Sequence, residues 1–151
     1  MSDTTTAPAA ADAATQAALE RLNTVIDRLI APDGCPWDST QTPESLTEYV
    51  IEECHELVDA IRSGKTADMV EELGDVAFLI LLIGKLMARA GGPSLADALE
   101  VEAAKMVRRH PHVFSDTTYE SQSEQLKDWD RIKREEKAAA DAEGPKGTYD
   151  S

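Results

Sequence analysis

Along the chain, apolar residues recur every three or four positions, and each recurring run ends at glycine, proline or a polar cluster. That spacing puts them on one face of a helix, because successive residues advance by about 100°. Leu19, Leu22, Val25, Ile26 and Leu29 predict a first helix from about Thr15 to Ile30, stopped by Pro32, Asp33, Gly34 and Pro36. Thr42 as N-cap, with Pro43 at the first helical position, opens a second that runs to about Arg62 and breaks at Ser63 and Gly64. A third spans about Thr66 to Ala90 and is closed by Gly91, Gly92 and Pro93. A fourth begins near Ser94 and reaches Arg109, an irregular HPHVF segment follows, and a strongly charged last helix covers about Ser123 to Lys137. No run alternates with period two over β-branched residues, so the expected fold class is all-α.

The same geometry sorts the acidic residues. On the second helix Leu46, Val50, Cys54, Leu57 and Ile61 form the expected core side, with Glu53 at its edge and Glu56 and Glu52 further round. On the third, Glu72 and Asp75 share a stripe with Val76, Leu79, Ile83 and Leu86. A solvated acidic face would oppose the apolar stripe, whereas these carboxylates continue into it. Carboxylates gathered beside a packed interface repel and take up protons unless a cation compensates. The patterns EExxE (Glu52 to Glu56) and ExxD (Glu72 to Asp75) therefore suggest a metal site between two helices, of the oxygen-rich kind that suits Mg²⁺. Taken alone, EExxE is common on exposed helices, and Gly74 reads either as a neutral interior glycine or as a point of close approach.

Composition narrows the picture further. The 151 residues, 42% hydrophobic, suffice for one domain with a core. The net charge of −14 opposes nucleic-acid binding through a broad basic surface. Residues 43–100 carry 12 acids and 4 bases, whereas residues 101–137 carry 8 of each, so one region is suited to cations and another to anions. Cys35 and Cys54 form no disulfide or zinc pattern and are expected to be reduced, as in a cytoplasm. The chain shows no secretory signal, and its longest apolar run, Val76 to Met87, is too short for a membrane span. Residues 1–18 are expected to be a disordered arm, 19–137 the functional domain and 138–151 a flexible tail.

GCPWD (Gly34 to Asp38), EExxE, ELGD (Glu72 to Asp75), RRHPHVF (Arg108 to Phe114) and WDRIKREE (Trp129 to Glu136) occur in the order and approximate spacing of the MazG family, and the resemblance covers about Leu22 to Lys137. This resemblance implies an all-α four-helix bundle completed by homodimerisation, as a dimer or a dimer of dimers. It also implies hydrolysis of nucleoside triphosphates to monophosphate and pyrophosphate with Mg²⁺, or Mn²⁺ in its place, in nucleotide-pool house-cleaning. Glu53, Glu56, Glu72 and Asp75 match the metal ligands; Glu52 and Glu53 are the candidates for handling the attacking water. Lys105, Arg108 and Arg109 match the phosphate-binding stretch, and Trp129 matches a tryptophan that helps hold the nucleotide. Trp37 is grouped with the substrate-binding residues, its other reading being a loop anchor. His110 and His112 read as loop anchors, and His55 as a partly exposed side chain. Better-known members carry two tandem domains, so self-association is expected to supply the missing half. Two further readings are a non-catalytic helical module and a ferritin-like di-iron protein, for which Glu52 and His55 provide only one of the two Glu-x-x-His motifs required.

Overall fold

The structure is a computed structural model in which residues 6–142 are described. Its helices are α1 (Thr6–Leu29), α2 (Thr47–Ser63), α3 (Thr66–Arg89), α4 (Leu95–Arg109), α5 (Pro111–Phe114) and α6 (Gln122–Ala142), with short 3-10 turns at Asp38–Thr40 and Glu44–Leu46. No strand occurs among the described residues, in agreement with the all-α expectation. The chain divides into two compact units, residues 1–95 and 96–151, where the sequence reads as one continuous domain.

In the first unit α2 and α3 form a helical hairpin, and α1 packs on α3. Gly64 makes the reversal possible: it closes α2 in the left-handed region at φ 71°, where a side chain would be strained. Ile26 of α1, Leu46, and Leu79, Leu81, Leu82 and Leu86 of α3 are buried together, with Leu22, Val50, Phe78 and Ile83 packed around them. Between α1 and α2 the chain turns tightly. Cys35 donates its N–H to the Leu29 carbonyl at 2.8 Å, and a Cβ at Gly34 would collide with the carbonyl oxygens of Leu29 and Arg28, so only glycine fits. Arg89 of α3 ties this connection down by donating to the carbonyls of Ile30 and Ser39, both at 3.1 Å. Thr42 and Ser45 then cap each other: Thr42 N–H donates to Ser45 Oγ at 2.9 Å and Ser45 N–H to Thr42 Oγ1 at 3.2 Å. At the other end of the unit, Gly84 leaves room for Leu95, since a Cβ there would lie 2.8 Å from that of Leu95.

Several boundaries differ from the sequence reading. α1 begins at Thr6, so helix occupies part of the stretch that reads as a disordered arm; its alanines are the best helix formers, and residues 10–21 are exposed, so propensity rather than packing carries this segment. Residues 1–5 lie outside the described residues. α6 runs on to Ala142 through a similar alanine run, and the remainder of the expected tail, 143–151, lies outside the described residues. The HPHVF segment contains a helical turn because Pro111 sits at its first position, where no N–H is needed.

The second unit is built differently. α4 and α6 have no buried residue, and Leu99, Val101, Val113, Phe114 and Leu126 are each more than half exposed. Its contacts are polar and aromatic instead: Tyr119 donates to Asp128 at 2.6 Å, and the His110 and Trp129 rings meet edge to face at 4.8 Å.

Candidate functional site

The α2–α3 hairpin assembles the acidic residues by register. The half-buried or buried face of α2 runs Leu46, Val50, Glu53, Leu57, Ala60, at alternating steps of four and three. Cys54 is exposed and Ile61 is 57% exposed, which corrects the expected core side by about one residue's rotation. The correction moves Glu53 from the edge of the packed face onto it. On α3 Glu72 is half-buried, three residues before Asp75 and seven before the buried Leu79.

Glu53, Glu56 and Glu72 each offer an oxygen within 4.8 Å of the others. Burial raises the Glu53 carboxyl above its usual range, followed by the charges of Asp75, Glu56 and Glu52. Burial also raises Glu72, with the charges of Glu56, Glu71 and Asp75 adding to it. Asp75 is thus the main charged neighbour of Glu53, and Glu56 that of Glu72, as an antiparallel register requires. Glu72 Oε2 is buried without a hydrogen-bond partner. A buried acceptor left alone is costly, and acceptors crowded with like charge call for a cation. An all-oxygen set with both features fits a hard divalent ion far better than a soft one. Glu52 is exposed, with its charge felt at Glu53. A Cβ on Gly74 would meet nothing within 4 Å, so no close approach by this chain explains that glycine. Trp37 is 46% exposed and stands edge-on to Tyr49, with ring centres 5.6 Å apart.

Lys105, Arg108 and Arg109 lie in the second unit. Arg108 and Arg109 end α4 and share one partner, Glu136 of α6, which sequence reasoning did not single out. Arg109 also stands 6.0 Å from the centre of the Trp129 ring. Lys105 pairs with Glu102 one turn earlier. His110 accords with an anchoring reading: its Nδ1 lies 2.6 Å from the Met106 carbonyl and its ring abuts Trp129. His112 Nε2 lies 3.3 Å from the Gln125 side-chain amide. An open groove of about 840 Å³ runs beside these residues, lined in part by Arg108, Tyr119, Lys127, Asp128 and Arg131.

Residues 41–114 match the family model of the MazG nucleotide pyrophosphohydrolase domain. Among curated proteins, the chain is 40% identical over 118 residues to the nucleoside triphosphate pyrophosphohydrolase/pyrophosphatase MazG of Thermotoga maritima, an alignment covering 78% of this chain and 45% of that protein. It is 39% identical over 121 residues to the nucleoside triphosphate pyrophosphohydrolase of Escherichia coli strain K12, covering 80% of this chain and 46% of that one. It is 42% identical over 118 residues to the uncharacterized protein YabN of Bacillus subtilis, covering 78% and 24%. The chain thus spans between about a quarter and a half of the length of these relatives. The crystal structure of a mazG-related protein from Thermotoga maritima superposes with a TM-score of 0.65 at 30% identity, covering 76% of this chain and 98% of that chain.

Proposed function

Since the chain belongs to the MazG family, we propose that it hydrolyses nucleoside triphosphates, ribo- or deoxyribo-, to the monophosphate and pyrophosphate, with residues 19–137 as the working part. The observation that carries this reading is the three-glutamate cluster with its buried, unpartnered Glu72 oxygen. Glu53, Glu56, Glu72 and Asp75 would hold Mg²⁺, with Mn²⁺ able to replace it. When bound, the ion supplies Lewis acidity and compensates phosphate charge. Glu52, exposed beside the cluster, and Glu53 are the candidates to accept the proton of the water that attacks the α-phosphorus, each at a carboxylate oxygen. Lys105, Arg108 and Arg109 bind phosphate oxygens and stabilise the charge that builds on departing pyrophosphate. Trp129, and Trp37 with it, offer aromatic faces to the nucleotide.

The working form is a homodimer or a dimer of dimers. Ile51, Val58 and Ile61 on α2, and Val70, Leu73 and Ile80 on α3, are spaced by three or seven residues, one or two helical turns, and are each about 40% exposed or more. Two such stripes on neighbouring helices are what a second copy would cover to complete a bundle. No helix among the described residues is long and apolar enough to cross a membrane. A cytoplasmic role in cleansing the nucleotide pool accords with two free cysteines and a net charge ill-suited to nucleic acid.

The test is an assay of the purified chain with a panel of standard, oxidised and deaminated triphosphates and Mg²⁺, measuring pyrophosphate and orthophosphate separately. Pyrophosphate release that disappears in Glu53→Gln and Asp75→Asn is expected. No release from any triphosphate, or full activity in those variants, would refute the proposal.

A further inference from the structure

One carboxylate in the second unit serves two guanidinium groups. Arg108 donates from Nε to Glu136 Oε1 at 3.1 Å, with its Nη2 also 3.1 Å from that oxygen; Arg109 donates from Nε at 3.1 Å and Nη2 at 2.8 Å to Oε2. Each arginine is thus held by the same edge, and Nη1 of each has no protein partner among the described residues. The neighbouring Glu135 points elsewhere, to Arg131 at 2.7 Å, so the Arg108–Arg109 pair keeps an excess of one positive charge.

The same face of α6 carries the aromatic element. Trp129 precedes Glu136 by seven residues, two helical turns, and both are half-buried. Arg109 bridges them, joined to Glu136 and 6.0 Å from the centre of the Trp129 ring. His110 buttresses that ring from the next residue of the chain. The Glu136 carboxyl is held below its usual range, chiefly by the Arg109 hydrogen bonds and then by those of Arg108, so it remains ionised at neutral pH.

Resting on the assignment of Arg108 and Arg109 to the phosphates, we infer that Glu136 is a positioning residue. It holds both guanidiniums by their Nε edges at a set distance from Trp129, leaving their outer edges to bind a di- or triphosphate together. A surface ion pair that merely tied α4 to α6 would need only one arginine. Cancelling the pair's charge would need a second carboxylate, one for each arginine.

The experiment measures pyrophosphate binding to the full chain by calorimetry in EDTA, so that divalent ions play no part. Glu136→Gln, which keeps the shape and removes the charge, is expected to weaken binding by about tenfold. Glu136→Asp, which keeps the charge, is expected to lose only about threefold. In an Arg108→Ala/Arg109→Ala background, adding Glu136→Gln should cost nothing further, because a residue that acts through the arginines has nothing left to act on. Unchanged or tighter binding by Glu136→Gln, an equal further loss in the arginine-free background, or no measurable binding by the unaltered chain would each overturn the inference. If Glu136→Gln fails to fold, Glu136→Asp carries the same comparison, with a loss of about threefold expected only when the arginines are present. The hydrolase reading fails separately. Glu136-dependent pyrophosphate binding without pyrophosphate release from any triphosphate sinks that reading alone, and turnover with Glu136-independent binding sinks this inference alone.

Discussion

The two units of the chain are held together by different physics. In the first, Ile26, Leu46 and Leu82 are fully buried and three more leucines nearly so. Burying such a side chain contributes about 1.5–3 kcal/mol over leaving it exposed. In the second no side chain of α4 or α6 is buried, and ion pairs and ring contacts, worth about 0–1 kcal/mol each where exposed, take the place of a core. The difference explains where each kind of charge can be collected. Like charges can be crowded at Glu53, Glu56 and Glu72 because the core contacts of the same two helices hold the hairpin closed against their repulsion. The arginines of the second unit are tied to carboxylates instead, because no comparable core is there to resist repulsion.

The largest expected effect tests the cores directly. Leu82→Ala should destabilise the chain by about 2–5 kcal/mol, whereas Leu126→Ala, at a residue 57% exposed, should cost no more than about 0.5 kcal/mol. Chemical denaturation followed by circular dichroism measures both, and equal losses would erase the contrast. Next comes the pH dependence of the acidic cluster. The Glu53 and Glu72 carboxyls are raised in the folded state, so without metal their contribution is most favourable below the ordinary glutamate value of 4.5 and is lost as pH rises through the folded values. Mg²⁺ should therefore raise Tm more at pH 7 than at pH 4.5, and Glu72→Gln should shrink that difference; an equal Mg²⁺ shift at both pH values would contradict it. Glu136 titrates in the opposite sense. Its depressed carboxyl contributes stability above the ordinary value that is lost as pH falls through the folded one, so protection of α4 and α6 amides from hydrogen exchange should decline on acidification below 4.5, more than in Glu136→Gln. The smallest effect concerns Tyr119, whose hydroxyl is raised chiefly by its hydrogen bond to Asp128. Tyr119→Phe should slightly speed exchange near α5 and leave the amides of α2 and α3 unchanged.

Much of the first unit is legible in the sequence because its signals are local. Gly64 and the Gly91–Gly92–Pro93 run mark the ends of α2 and α3 by backbone chemistry that does not depend on the rest of the fold, whereas Pro43, expected at the first position of α2, heads a 3-10 turn and α2 begins only at Thr47. The acidic patterns are legible as well, through their place on the apolar stripe of α3. The rotation of α2 is less so, since Cys54 and Ile61 are as apolar as Leu57 and Ala60, and apolarity alone does not say which of two neighbouring faces meets α3. Glu136 was hidden for another reason. In WDRIKREE it stands beside an equally acidic Glu135, and only the packing of α6 aims one at Arg108 and Arg109 and the other at Arg131.

What the sequence by itself determined is the helical class, the punctuation between helices, the family motifs and the acidic and basic residue types that those motifs bring together. Periodicity, capping and turn residues act over a few positions and can be read in one dimension. Only the tertiary structure decided that Glu53 lies on the packed face of α2, that Glu72 has an oxygen buried without a partner, and that one carboxylate holds two arginines. Those outcomes depend on which faces meet, and a face is chosen by the summed burial of many distant residues rather than by its own sequence.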